Sequence, residues 1–276
     1  MNSSNWRHVN ALWRFDLLSA MRESRGVLFL VCFGLFWAFW IQKLSSGFAR
    51  DLQDPNIGMV LGWFFDARVI ELLQHRAPTL VTCYYIGLTA TPAFAILAAC
   101  DQTASDLTSR YLRFLIVRVG RFEVYLARFL GAATLVGVAQ AAVGLTAIGL
   151  SLALDGGTRG GDTGATLGYG LMATLSLVAY GTSFVALMAM LSAVIVNPAL
   201  SAVAGLVGYV IFHLLVSLAS DRSPMIGLAR YLFPSGLKAQ LLAPDLGAMT
   251  LGVVAQPFYA AAFFAAGWFI FRKRDV

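Results

Sequence analysis

Between two long apolar runs lies the polar stretch Asp101-Gln-Thr-Ala-Ser-Asp106-Leu-Thr-Ser-Arg110-Tyr-Leu-Arg113-Phe-Leu-Ile-Val-Arg118-Val-Gly-Arg121. Its residue types suit two kinds of chemistry. Asp101 and Asp106 could hold a divalent cation against a lipid diphosphate, as an intramembrane transferase would. That chemistry calls for several carboxylates on one cation, and the denser Asp repeats of such enzymes do not occur here. The plainer role for Asp106 is to cap the helix that follows by accepting from its first N–H groups. The four arginines are fixed cations suited to acidic partners or to lipid phosphates.

Other chemical arrangements are scarce. The lysines are Lys43, Lys238 and Lys273; none follows a Gly and none precedes Ser or Thr, so no phosphate-cradling loop exists. The histidines His8, His75 and His213 are scattered. Glu71 and His75 stand four apart, one helical turn, which alone is weak as a metal site. His213 falls inside an apolar run, where an ionisable group is a functional candidate or a neutral ring bonded to a neighbouring helix. Cys32, Cys83 and Cys100 lie in or beside apolar runs without a Cys-x-x-Cys pattern and read as free thiols. No Ser/His/Asp or Cys/His arrangement stands out. The chain thus shows no catalytic, cofactor or metal residues of its own.

The elements that position the polar stretch follow from hydropathy. Of 276 residues, 59% are apolar and only 12% charged, which excludes a soluble globular class. A hydrocarbon core of ~30 Å needs ~20 helical residues. Runs at about 26–44, 78–100, 126–154, 167–196, 199–219 and 248–271 meet that length. The chain is expected to be all-α, one transmembrane domain over 1–276, with six spans. Spans three and four exceed the usual length and should tilt or project. Pro92 should kink span two, and Asn197-Pro198 should break four from five. Gly131, Gly137, Gly144, Gly205 and Gly208 would let spans approach closely. The first apolar run starts at Val27, so no cleavable leader is expected.

Residues 6–25 read as an amphipathic helix in the membrane interface. Val9, Leu12, Trp13, Leu17, Ala20 and Met21 line one face, with Arg7, Asn10, Arg14, Arg22 and Arg25 towards the other. The outer segments 57–76 and 225–243 are apolar but too short to span, and read as re-entrant or interfacial; the second is broken at Pro234-Ser-Gly. Arg and Lys are densest at the two termini and in 101–125, which places both termini in the cytoplasm. A net charge of +6 is no nucleic-acid signal in such a chain.

The stretch after span two resembles the type-two permease subunits of ATP-binding-cassette exporters. In that family an acidic residue follows span two. A short helix with Gly-Thr-Leu and paired leucines comes next, then Pro-x-Ser-Arg, then Gly-Lys-Phe at the start of span three. Asp106 is similar to the acidic position, Leu112-Arg-Phe-Leu115 to the leucine pair, and Arg121 to the arginine. Arg128-Phe129-Leu130-Gly131 is similar to the opening of span three. The ending Phe271-Arg-Lys-Arg-Asp-Val276 is similar to the family's Phe-x-Arg-Arg-Asp-hydrophobe. Ser109-Arg110-Tyr111 and Val119-Gly120 depart from its pattern.

The resemblance implies a dimer, with a second copy or a paralogue. It places the protein in the cytoplasmic membrane of a prokaryote, with soluble ATPase subunits on its inner face. ATP and Mg would belong to the ATPase, and the substrate would pass between the two permeases. It further implies a coupling helix over 106–118. Asp106 would cap it, and Leu112 and Leu115 would anchor it. Arg110, Arg113, Arg118 and Arg121 would face the ATPase or lipid headgroups. The lipid-diphosphate transferase and a non-transporting membrane assembly factor are the alternatives.

Overall fold

The computed structural model describes residues 3–22, 24–52, 67–104, 106, 115, 117–156, 163–220 and 227–274. Its elements are α1 (Ser3–Arg22), α2 (Ser24–Ser45), α3 (Phe48–Asp51), α4 (Ala67–His75), α5 (Pro78–Ala99), α6 (Arg121–Leu154), α7 (Thr163–Val194) and α8 (Pro198–Ser220). Two 3₁₀ turns (Ala229–Leu232 and Pro234–Leu237), α9 (Lys238–Leu241) and α10 (Leu246–Lys273) complete the order, with no strand among the described residues. Six helices (α2, α5, α6, α7, α8 and α10) are long and apolar enough to cross a membrane. The fold is that of an integral membrane protein, the one class in which so much apolar surface can stay exposed.

Local sequence sets the boundaries. Pro78 opens α5, where its missing N–H costs nothing. Pro92 sits inside α5, and the Thr91 hydroxyl donates to the Gly87 carbonyl at 2.7 Å. Asn197 ends the α7–α8 break, its Oδ1 accepting from the N–H groups of Ala199 (2.9 Å) and Leu200 (3.3 Å). Asp245 caps α10 through the Ala248 N–H at 3.0 Å. At 34 and 32 residues, α6 and α7 outlast the bilayer as expected, since 1.5 Å per residue makes α6 about 51 Å long.

α7 is the hub, packed against α5, α6 and α10. Small residues make the close approaches possible: a Cβ on Gly267 of α10 would stand 2.8 Å from the Met190 Cα of α7. Between the spans, buried polar groups pair. The Gln140 amide donates to Thr91 Oγ1 at 2.9 Å, and the Ser183 hydroxyl to Gln256 Oε1 at 2.9 Å. α8 lies at the edge; among the described residues it meets mainly α5, α7 and the 3₁₀ turns, where His213 reaches Ser235.

The bundle has a lower end, where α5 and α7 finish and α6 starts, and an upper end opposite. At the upper end Asp155, 5% exposed, closes α6 onto α5. Its carboxylate accepts from the Thr79 N–H at 3.1 Å and the Thr79 hydroxyl at 3.0 Å, a cap supplied from another helix. The segment 227–245 packs into the same half. The Tyr84 hydroxyl donates to the Leu241 carbonyl at 2.8 Å, and Arg76 donates to the Pro244 carbonyl at 3.1 Å while lying over the Tyr169 ring. The break falls at Phe233, extended (φ −108°, ψ 149°), one residue before the expected Pro234-Ser-Gly, and those three residues belong to the second 3₁₀ turn. Of the other segment, 67–75 forms α4, with Val69 and Leu72 buried, and 57–66 lies outside the described residues.

Candidate functional site

The polar stretch returns to the lower end, and one arginine organises what is described there. Arg128, two turns into α6, grips Asp106 with a fork. Its Nε donates to Asp106 Oδ2 at 3.0 Å and its Nη2 to Asp106 Oδ1 at 3.1 Å. Its Nη1 donates to Asp16 Oδ1 of α1. The side chains are 21% exposed for Arg128 and 10% for each aspartate, so the three charges are largely withdrawn from water. A bidentate guanidinium–carboxylate pair fixes orientation as well as distance. It joins the polar stretch, the base of α6 and α1 at one point.

α1 reaches this point because a face of it fits α6. Val9 is buried, and the Trp13 indole donates to Thr134 Oγ1 at 3.1 Å. Asp16 follows one turn on, and Gly131 admits it: a Cβ there would stand 3.2 Å from Asp16 Cβ. Val9, Trp13 and Leu17, expected on the face turned to lipid, pack instead on the protein's own helices. On the opposite face Phe15 and Leu18 are 61% and 56% exposed, set between Arg14 and Arg22. α1 therefore carries a docked face and an exposed one, the second suited to an interface bordered by lipid headgroups.

The far end of the stretch is tied down separately. Arg121 donates through Nη1 to the carbonyls of Arg272 (3.0 Å) and Arg274 (2.9 Å), at the last turn of α10. Arg274 in turn donates to the Val194 carbonyl at the end of α7. Cations here satisfy carbonyls that a helix C-terminus leaves without partners. Rings seal the same region: Tyr125 stacks on Phe271 at 5.4 Å, and Phe122 meets Trp268 edge-on at 5.2 Å.

The residues expected to form the site thus divide. Asp106 is on the Arg128 fork; the helix it was expected to cap, with Arg110, Leu112 and Arg113, lies outside the described residues. Leu115 is half-buried, and its carbonyl accepts from Arg118 and Val119 N–H groups at 3.0 and 2.9 Å. Arg118 is exposed on that turn beside Val117, which is 85% exposed. Arg121 holds the α10 terminus. The fork also takes both oxygens of Asp106, the ones a transferase would give to a cation. Among the described residues no group of three or more His, Cys, Asp or Glu gathers as metal ligands.

Elsewhere, His213 meets Ser235 of the neighbouring second 3₁₀ turn, Nε2 to Oγ 2.6 Å. The described cysteines are free; Cys83 is buried and Cys32 exposed on α2. Asp16 and Val117 were not singled out in the sequence. Asp16 had a signal: it is the only acid in the arginine-bearing helix Ser3–Arg22. Compared with known proteins, the chain matches no family model and no curated protein.

Proposed function

We propose that this protein is the permease subunit of an ATP-driven exporter. Its 101–121 stretch, on the cytoplasmic side with both termini, receives a separate ATPase. The observation that carries this reading is the Asp16–Arg128–Asp106 junction. A loop that only held the topology would need its arginines near lipid phosphates, worth about 1 kcal/mol each. It would not need a largely buried, bidentate tie to two helices. Movement of the stretch would instead pass into α1 and α6 at Asp106, and into α10 and α7 through Arg121 and Arg274. Val117 and Arg118 offer an apolar and a cationic contact on one exposed turn, the mixture that partner surfaces use.

In this reading the chain binds no nucleotide itself, and ATP and Mg belong to the ATPase. Closure of the ATPase pair favours one arrangement of the bundle over the other, a differential-binding mechanism. A second permease copy packs along the open face of α8, and 227–245 re-enters the outer half of the membrane. Purification from native membranes, followed by measurement of ATPase affinity and ATP turnover in variants that insert correctly, is the test. Arg113→Glu and Leu115→Asp should weaken ATPase binding by tenfold or more, as a charge placed in a desolvated contact does. Arg128→Lys should keep binding but separate turnover from transport, since it loses the fork and not the charge. Wild-type affinity in both Arg113→Glu and Leu115→Asp would remove the coupling role.

A further inference from the structure

A recess of about 450 Å³ opens between α1 and the lower part of α6. Trp6, Arg7, Asn10 and Trp13 line it from α1, and Leu130 and Thr134 from α6. Such a volume is ordinary for a small-molecule site, ~300–1,000 Å³. Its level in the membrane follows from the pairing of α5 with α6. The two helices run antiparallel, with Thr79 at Asp155 and Thr91 at Gln140. Both rise equally per residue, so the foot of α5 at Ala99 is level with Ala132 and Ala133. α5 has 22 residues and is about 33 Å long, close to a hydrocarbon core of ~30 Å. The lower hydrocarbon boundary therefore falls near Thr134, the residue that accepts from the Trp13 indole. The recess straddles the border between lipid chains and headgroups, the layer that indole rings favour.

Its walls suit one kind of guest. Arg7 and Asn10 are exposed. Arg7 has no carboxylate partner among the described residues, because Asp16, the one acid of α1, is taken by Arg128. A guanidinium in the headgroup layer matches a phosphate, which it can grip through two N–H groups. Above the recess the same face of α6 is apolar and open. Val138 and Leu145, one and three turns up from Thr134, are 64% and 58% exposed. Cation, indoles and apolar strip follow one another in the order of a phospholipid from head to chain. We infer that this recess binds an anionic phospholipid of the bilayer. Arg7 and Asn10 take its phosphate, Trp6 and Trp13 flank its glycerol, and one acyl chain runs up α6 past Val138. The lipid braces α1 against α6 one turn from Asp16. None of these contacts depends on the permease reading.

The test takes the full chain, delipidated in mild detergent, and titrates it with dioleoylphosphatidylglycerol or dioleoylphosphatidylcholine under native mass spectrometry. The first phosphatidylglycerol should bind on the order of tenfold more tightly than the first phosphatidylcholine, the effect of one charge-assisted hydrogen bond. Arg7→Gln should abolish that preference and Arg7→Lys should keep most of it. Arg14→Gln removes an equal charge from the same helix outside the recess and should leave the preference intact. Equal binding of the two lipids by wild type would overturn the proposal, and so would an undiminished preference in Arg7→Gln. Equal losses in Arg7→Gln and Arg14→Gln would replace the site by a diffuse basic surface. Leu130→Trp fills the recess without altering charge and should weaken the first lipid of either kind. Unchanged binding there would overturn the proposal even if Arg7→Gln did not fold. Millimolar inorganic phosphate should not displace the lipid; displacement would make this a site for a free anion instead. Lipid bound by monomers but excluded from dimers would give the recess to a second copy of the chain. No ATPase is present, so failure here leaves the partner reading untouched, and failure to find an ATPase leaves this one untouched.

Discussion

α7 and α8 are consecutive spans of nearly equal hydropathy, 1.9 and 2.1 over their most apolar windows, yet 67% of the first window is buried and 11% of the second. Hydropathy places both in the membrane and is silent on the difference. Side-chain size and hydroxyls carry it. α7 presents Ser176, Ser183 and Ser192 fully buried, and tyrosines at 169 and 180 that are equally enclosed. α8 exposes large aliphatic groups on most sides, among them Leu200, Val203, Ile211 and Leu214. Lipid is as apolar as leucine, so spans associate where small and hydroxylated residues permit close packing and hydrogen bonds. Hub and edge are therefore written in the polar and small residues of a span rather than in its apolar ones.

The sharpest test of the hub is at its contact with α10. A methyl group on Gly267 would meet Met190 Cα at 2.8 Å and Met190 N at 3.1 Å, both backbone atoms that cannot rotate aside. Gly267→Ala should destabilise the fold by about 3 kcal/mol, the upper part of the range for overpacking. Its unfolding midpoint in detergent should fall accordingly, and an unchanged midpoint would break the assignment of α7 as the hub.

The same contrast shows what the sequence could and could not convey. Each expected span lies within a few residues of the helix found, because length and hydropathy, with the prolines at 78 and 198, set those boundaries locally. The lower-end junction was not legible. Asp16, Asp106 and Arg128 are far apart in the chain, and spacing does not reveal which acid a given arginine will meet. Asp155 was missed for the same reason, since the helix it caps begins 77 residues earlier at Pro78. The direction faced by an amphipathic helix was also ambiguous: Val9, Trp13 and Leu17 suit a lipid surface and α6 alike. Of the two glycines expected on α8 contacts, periodicity could not tell which would be inside.

Gly205 faces the hub. A Cβ there would stand 2.7 Å from Met188 Sδ and 3.2 Å from Ile96 Cγ2. The thioether can swing away more easily than a backbone can, so Gly205→Ala should cost about 1 kcal/mol, well below Gly267→Ala. A loss as large as that of Gly267→Ala would mean that α8 is held to the bundle far more firmly than its exposure indicates.

Gly208 is the smallest effect on the subunit and the most informative about assembly. Among the described residues no other part of the chain lies within 4 Å of a Cβ built there, so it faces away from the described bundle. Gly208→Leu should leave the unfolding midpoint of the isolated subunit unchanged. If a second copy packs on this face through small residues, the same substitution should abolish the dimer, because the added side chain holds the two backbones apart. Native mass spectrometry from mild detergent reads the second effect, and thermal unfolding the first. Loss of the dimer at constant stability would place the partner on α8. A retained dimer at constant stability would move the partner elsewhere, with α2 next to examine, since 22% of its window is buried and α10, at the same figure, packs along α7. A fall in stability would show instead that α8 is not an edge at all, and the contrast with α7 would fail with it.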